Sequence, residues 1–261
     1  MNTDLARHYA TDAENIRLAR SPHGRLEFLR TQELLRRSLA TPAAVLDVGG
    51  GTGVHAEWLA RDGHTVHLID LVPAHVDAAS MLPGVTAQVA DARQLPVSDA
   101  GNDAVLMLGP LYHLVDQADR ARALAEARRV LRPGGVLAAA GISRYLSVVE
   151  TGTNGTLDAT LMSSVEAVIA SGRYDGHVGF TPTHWHTADE LRVEIQSAGF
   201  SDVEVYGVEG PAWAALDVAG MDAFPALAHS ALHCARLVEQ DPSLINASAH
   251  FLAVARSPSA D

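Results

Sequence analysis

Lysine is absent from this 261-residue chain, whose 19 basic residues are all arginine. A phosphate-loop lysine, a Schiff-base lysine and a lysine general base are therefore excluded. Cysteine is nearly absent too. With Cys234 alone, neither an internal disulfide nor a cysteine-rich zinc site can form. No apolar run reaches the roughly 20 residues that a membrane-crossing helix needs. The opening Met1-Asn2-Thr3-Asp4 has no charged stretch leading into an apolar one, so it does not read as a signal peptide. A reduced, cytoplasmic setting is expected, with no membrane partner. Positive charge is also in deficit, at 31 acidic against 19 basic residues and a net charge of −12. Proteins that grip a phosphate backbone gain affinity by displacing counterions with basic side chains. Nucleic acid is thus not an expected partner.

What is present suits one α/β domain with insertions, since 48% of the residues are apolar and chains of this length bury a large core. Residues 1–40 read as a helical arm, with Leu26, Leu29, Leu35 and Leu39 recurring near the helical period and Pro22-His23-Gly24 interrupting an earlier segment. Residues 41–261 form the main domain. Strand-like segments at 44–48, 65–70, 86–90 and 103–108 alternate with helical ones at 54–61 and 74–81, which predicts right-handed βαβ units and a parallel sheet. A helix is expected from Asp116, placed to cap, to Leu131, stopped by Pro133-Gly134-Gly135 before a strand at 136–140. Thr187-Ala188-Asp189-Glu190 is a capping-box pattern opening another helix that Gly199 ends. Strands at 203–208 and 250–255 complete the series. Two insertions, at about 144–186 and 211–245, carry amphipathic helices and are expected to act as lids.

The strongest local signal is Val45-Leu46-Asp47-Val48-Gly49-Gly50-Gly51-Thr52-Gly53, a buried strand running into a glycine loop that opens a helix. Glycines let the backbone approach a ligand closely, and the free N–H groups of the helix end face it. Alone this leaves two cofactors open, because Gly51-Thr52-Gly53-Val54-His55-Ala56 also fits the G-x-G-x-x-A dinucleotide fingerprint. Asp70 ends the second strand, 17 residues beyond Gly53, where a carboxylate accepts both hydroxyls of a ribose. Asp91 ends the third strand, where it can accept from an adenine amino group, and Leu131-Arg132-Pro133-Gly134-Gly135 precedes the fifth.

This set, in this order and spacing over residues 45–140, resembles the class I S-adenosylmethionine (SAM)-dependent methyltransferase family. The resemblance implies a doubly wound, Rossmann-like α/β fold with a seven-stranded, mostly parallel sheet whose last strand is antiparallel. It implies SAM as cofactor and S-adenosylhomocysteine as product. It also implies that Asp47, Gly49, Gly50, Gly51 and Gly53 form the methionine-side loop, Asp70 holds the ribose, Leu71 and Leu108 pack on the cofactor, and Asp91 with Ala92 reads the adenine edge. From the arm, Tyr9 is expected over the cofactor, and Arg30, then Arg20, as partner of the methionine carboxylate.

Leu108-Gly109-Pro110-Leu111-Tyr112-His113 follows the fourth strand and places Tyr112 and His113 where the methyl group should point. Gly109 stands where amino-methylating DNA enzymes carry Asn or Asp, so base methylation is not expected. A neutral histidine suits proton removal near pH 7; His113 is the first candidate, and His186 and His184 follow. Gly207-Val208-Glu209-Gly210-Pro211 resembles a stretch of actinobacterial-type small-molecule methyltransferases, with Glu209 expected to anchor an acceptor and Trp213 to wall it. Met162, Phe180 and Trp185 are further lining candidates. No metal is expected: His229 and His233 lie four apart on a helix without the Glu or third ligand of a zinc site. The expected activity is methyl transfer to an N, O or C atom of a small molecule by a monomer or homodimer. The rivals are an NAD-dependent oxidoreductase and a SAM-binding regulator or scaffold that does not methylate.

Overall fold

A computed structural model describes residues 17–176 and 180–259. After a short helical turn at Arg17–Arg20, Ser21 accepts a hydrogen bond from the Gly24 N–H at 3.1 Å and Pro22 opens helix α1, Pro22–Ser38. A proline in the first turn costs nothing because its missing N–H would have no helical partner there. The chain then alternates: β1 (Ala44–Val48), α2 (Val54–Arg61), β2 (Thr65–Asp70), α3 (Pro73–Ser80), β3 (Val85–Val89), β4 (Asn102–Met107), α4 (Pro110–His113), α5 (Gln117–Val130) and β5 (Leu131–Ile142). Helices α6 (Leu146–Asn154) and α7 (Ala159–Ser171) and a two-stranded ribbon, β6 (Arg173–Tyr174) with β7 (Thr183–His184), come next. The chain closes with α8 (Ala188–Ser197), β8 (Ser201–Gly207), α9 (Trp213–Ala219), α10 (Phe224–Val238) and β9 (His250–Arg256).

The main sheet has seven strands in the order β3-β2-β1-β4-β5-β9-β8. The first five are parallel, and β9 runs antiparallel between β5 and β8, pairing Ile142 with His250 and Gly207 with Phe251. The inner strands are nearly continuous apolar runs because both faces are covered. On one face α5 and α8 bury Leu124, Ala127, Leu191 and Ile195 against Leu46, Val105 and Leu137; on the other, α1, α2 and α3 bury Leu34, Leu35, Leu59 and Ala79 against Val45, Leu68 and Leu106. The strand order reverses beside β1, between β1 and β4, which opens a crevice at the carboxyl ends of those strands.

The expected seven-stranded sheet is present, and the predicted capping box is made in both directions, Glu190 N–H to Thr187 Oγ1 and Thr187 N–H to Glu190 Oε2. Three local expectations need correction. Pro133-Gly134-Gly135 does follow the end of α5 at Val130, but it does not separate the helix from the strand: β5 begins at once by pairing Leu131 with Asn102, so these residues form an irregularity inside the strand, with Gly134 at φ +73°. Asp116 occupies the cap position of α5, yet its side chain makes no cap bond and instead meets Arg173 at 3.3 Å. The two insertions do not roof the crevice among the described residues. Helix α9 packs on α1 and α6, and α10 on α1, around Leu26, Leu216, Phe224 and Ala231. Among the described residues no helix is long and apolar enough to cross a membrane.

Candidate active site

The crevice at the carboxyl ends of the parallel strands holds a cavity of about 380 Å³, a size usual for small-molecule sites. It is acidic: Glu27, Asp47, Asp70, Asp91, Asp116 and Asp119 line it, against the single guanidinium of Arg93 among the described residues.

Its floor is the turn after β1. Gly49 and Gly51 adopt φ of +70° and +58°, which L-residues seldom do. A Cβ on Gly50 would stand 2.6 Å from both Asp47 Oδ2 and Leu68 Cδ1, so the loop can lie on Asp47 only without a side chain there. A Cβ on Gly51 would meet nothing within 4 Å, because it would project into the cavity. Gly53 belongs elsewhere. It caps α2 with φ +91°, does not line the cavity, and its missing Cβ makes room for Leu82. Its role is the packing of the helix.

Asp47 is 1% exposed, and its Oδ2 has no hydrogen-bond partner among the described residues. Burial pushes its carboxyl up to about 7, and the nearby Asp70 charge adds to the rise. Nothing basic among its described neighbours answers it. Asp70, at the tip of β2, accepts the Gly51 N–H at 2.9 Å through Oδ2 and the Val72 N–H at 2.8 Å through Oδ1, with His75 Nδ1 3.2 Å from the same oxygen. The loop and the second strand are thereby locked in register. Asp91 lines the cavity after β3, but Arg93 grips both its oxygens, at 2.9 and 2.6 Å, and also reaches Asp119 at 2.7 Å. The Arg93 hydrogen bonds hold the Asp91 carboxyl below its usual range against the effect of burial. Leu71, Ala92 and Leu108 border the same space.

Beyond β4, Tyr112 and His113 line the other half of the cavity, their rings 4.7 Å apart. The Tyr112 hydroxyl donates to the Leu108 carbonyl at 3.3 Å, and His113 Nδ1 lies 3.4 Å from Thr181 Oγ1 with Phe180 behind it at 5.6 Å.

Several expected site residues are placed elsewhere. Tyr9 lies outside the described residues. Arg20 is exposed and does not border the cavity. Arg30 is completely buried and committed: Nη1 donates to Glu33 at 2.7 Å, Nη2 to Glu239, and Nε to the Val208 carbonyl at 3.2 Å. It joins α1 to the end of α10, not to a ligand. His186 is buried away from the cavity with Nε2 2.8 Å from Glu194. His184 packs edge-on to it at 4.5 Å, and burial, then the neighbouring His186, push its pKa down to about 3. Trp185 stacks on Tyr174 at 4.6 Å, Trp213 donates to the Ala247 carbonyl at 3.0 Å, and Met162 is 46% exposed on α7. None of the three lines the cavity: Trp185 and Trp213 each close a packing layer of the insertions, and Met162 faces outward. Glu209 is fully buried behind the wall, not in it. Among the lining residues to which sequence reasoning gave no role are Thr31 and Glu27 on α1, and His250 at the start of β9. Glu27 stood in the arm without a role, and His250 read only as the first residue of a strand.

Residues 45–135 match the family model of a methyltransferase domain. The chain is 33% identical over 183 residues to malonyl-acyl-carrier-protein O-methyltransferase of Geobacter sulfurreducens, covering 68% of this chain and 62% of that protein. It is 32% identical over 172 residues to demethylmenaquinone methyltransferase of Corynebacterium urealyticum, covering 64% of this chain and 72% of that one. The chain thus spans less than two thirds of the first of these curated relatives. Among solved structures, a SAM-dependent methyltransferase of Thermotoga maritima aligns over 98% of this chain and 100% of its own, with TM-score 0.62 and 19% identity. At that identity the likeness concerns the fold.

Proposed function

Because the chain belongs to the class I SAM-dependent methyltransferase family, we propose that it binds SAM across the crevice and moves its methyl group to a small-molecule acceptor. The observation that carries this reading is Asp47, whose carboxylate oxygen Oδ2 is buried beneath a glycine loop without a partner among the described residues. An α-ammonium group is the cation it lacks. The loop amides and the uncapped N-terminus of α2 suit the methionine carboxylate. Asp70 takes the ribose hydroxyls with the lone pairs its backbone bonds leave over, Leu71 packs on adenine, and Asp91 with Ala92 reads its edge. The same charges argue against NAD. A dinucleotide would set its pyrophosphate on this loop, and a buried carboxyl already raised by a second carboxylate would repel it.

Bound SAM supplies an electrophilic methyl carbon on sulfonium. The protein aligns the acceptor with that carbon and excludes water, which converts a bimolecular displacement into an oriented one. With adenosine over β1–β3, the half of the cavity over β4, β5 and β9 is left for the acceptor, walled by Tyr112, His113 and Phe251. The negative net charge and the size of the cavity favour a small molecule. The two relatives named above act, by their names, on different acceptors, so neither acceptor carries over to this chain. The lone cysteine accords with a reducing, cytoplasmic setting.

Titration calorimetry with SAM, S-adenosylhomocysteine and NAD tests the assignment. Both sulfur compounds are expected to bind at one site and NAD not to compete. A tight NAD complex with no affinity for either sulfur compound would reverse the reading.

A further inference from the structure

The end of the cavity away from the adenosine half contains a histidine backed by a buried carboxylate. His250 opens β9 and lines the cavity. Behind it Glu209, 0% exposed, places Oε1 2.6 Å from His250 Nδ1 and accepts the His250 backbone N–H at 2.9 Å through Oε2. Ser248 Oγ donates to Oε2 at 2.8 Å and accepts the N–H groups of Glu209 and Gly210 at 2.9 and 3.2 Å, so the carboxylate itself is held from both sides. Glu27, from α1, stands 3.7 Å from the same Nδ1. A fully buried carboxylate costs several kcal/mol unless it is paired, and here the pairing goes to a cavity-lining imidazole and not to an arginine. This is the arrangement in which a carboxylate fixes the tautomer of a histidine and stabilises the imidazolium when it takes a proton.

We infer that His250 is the proton acceptor of the methyl transfer, with Glu209 as its positioning residue, and that the acceptor is therefore a compound that loses a proton on methylation: a hydroxyl, an N–H or a C–H acid. The inference rests on the cofactor reading of the cavity. In the step, the acceptor's X–H proton passes to Nε2, the ring nitrogen that the Glu209 contact does not use. The freed pair on X forms the X–CH₃ bond, the C–S pair returns to sulfur, and the imidazolium releases its proton to solvent in the next step. Glu27, Glu209 and His250 also bring one ligand-type atom each within 4.8 Å of the others. Both Glu209 oxygens are already committed to His250 and Ser248, so the group is suited to a proton and not to a metal ion.

The test compares His250→Gln, Glu209→Gln and Glu209→Asp with the parent protein, using S-adenosylhomocysteine affinity, proton NMR of that complex, and transfer from methyl-tritiated SAM to a panel of phenols, enols and primary amines, with tertiary amines and thioethers as aprotic members. The expected affinity stays within about threefold of the parent value throughout, since the dyad stands at the acceptor end. A low-field Nδ1 proton resonance is expected in the parent complex and absent from both glutamine variants. Transfer should be confined to protic acceptors, fall as acid protonates the imidazole, drop by about 10²-fold or more in His250→Gln with loss of that acidic limb, and recover partly from Glu209→Gln to Glu209→Asp. Unchanged rates in His250→Gln, transfer to the aprotic members, no transfer at all from a protein that binds S-adenosylhomocysteine, or transfer abolished by a chelator would each overturn the inference. A parent protein that binds neither sulfur compound would instead overturn the cofactor reading.

Discussion

Asp47 in the crevice and Glu33 on α1 are carboxylates drawn out of water, the first fully and the second in part, and they end as opposite acids. Around Glu33, burial would raise the carboxyl, but hydrogen bonds from Arg37 and Arg30 and the nearby Arg236 overcome it and bring the pKa to about 2. Around Asp47 burial meets no such opposition among the described residues, Asp70 reinforces it, and the pKa rises to about 7. The chain has enough arginine to satisfy either site. It places Arg30, Arg37 and Arg236 where α1 meets α10, and among the described residues leaves the carboxylate under the glycine loop without a counter-charge. A folded protein tolerates such an unmet demand where a ligand answers it, which is why strongly shifted groups in a cleft point to function.

The comparison breaks most visibly at Arg30. Replacing it with methionine removes the buried partner of Glu33 and Glu239 and orphans the Val208 carbonyl. Loss of one member of a buried pair costs about 3–5 kcal/mol, and the low end is expected here because Arg37 and Arg236 still neutralise Glu33. Urea unfolding measures the loss, and S-adenosylhomocysteine affinity of the folded protein should hold. A stable Arg30→Met that no longer binds the ligand would restore the arginine to the cofactor site.

Asp47→Asn is expected to act in the opposite sense on stability. For an acid whose folded pKa stands above its unfolded value, the folded state holds the proton more tightly, so stability falls as pH rises from about 4 to about 7 and is level beyond. The rise of about three units represents roughly 4 kcal/mol, and the cost of burying an amide offsets part of it, leaving a gain of about 2 kcal/mol for the variant at pH 8. Thermal or urea unfolding without ligand checks the gain. The same variant should bind S-adenosylhomocysteine at least about tenfold more weakly, as loss of a charge-assisted bond implies. A variant neither more stable nor weaker in binding would show that Asp47 is ionised and satisfied already.

The sheet and the loop were legible in the sequence because local rules govern them: apolar runs bounded by turns, glycines where the backbone needs positive φ, a carboxylate at each strand tip. Asp47, Asp70 and Asp91 all follow from that pattern and all line the cavity. Arg30 was not legible, because its partner Glu239 lies 209 residues away, and a helical arginine looks the same whether it meets a ligand or a glutamate. His186, His184 and Trp185 were chosen as chemically able residues near a capped helix, and packing of the β6–β7 ribbon against β5 turned them inward. The pairing of Glu209 with His250 spans 41 residues and depends on β9 running antiparallel beside β8. No spacing in the chain announces it.

The smallest expected effect sharpens the comparison furthest, since it follows the titration of Asp47 itself. An ammonium pairs with the ionised carboxylate, so a site half protonated near pH 7 must give up a proton before it binds. With the pKa at about 7, S-adenosylhomocysteine affinity should be close to its maximum at pH 8 and weaker by about tenfold at pH 6, a difference of about 1.4 kcal/mol. The diagnostic quantity is the difference from Asp47→Asn, which subtracts every contribution other than that carboxyl and whose affinity should keep only the residual slope. Calorimetry in two buffers of unlike ionisation enthalpy supplies an independent reading. The parent protein should release nearly one proton per ligand bound at pH 6 and few at pH 8, and the variant should lack that change. Glu33, held near 2 by its arginines, adds nothing to either curve. A parent protein whose affinity and proton release are flat from pH 6 to 8 would mean that the buried carboxylate is not where the ammonium goes.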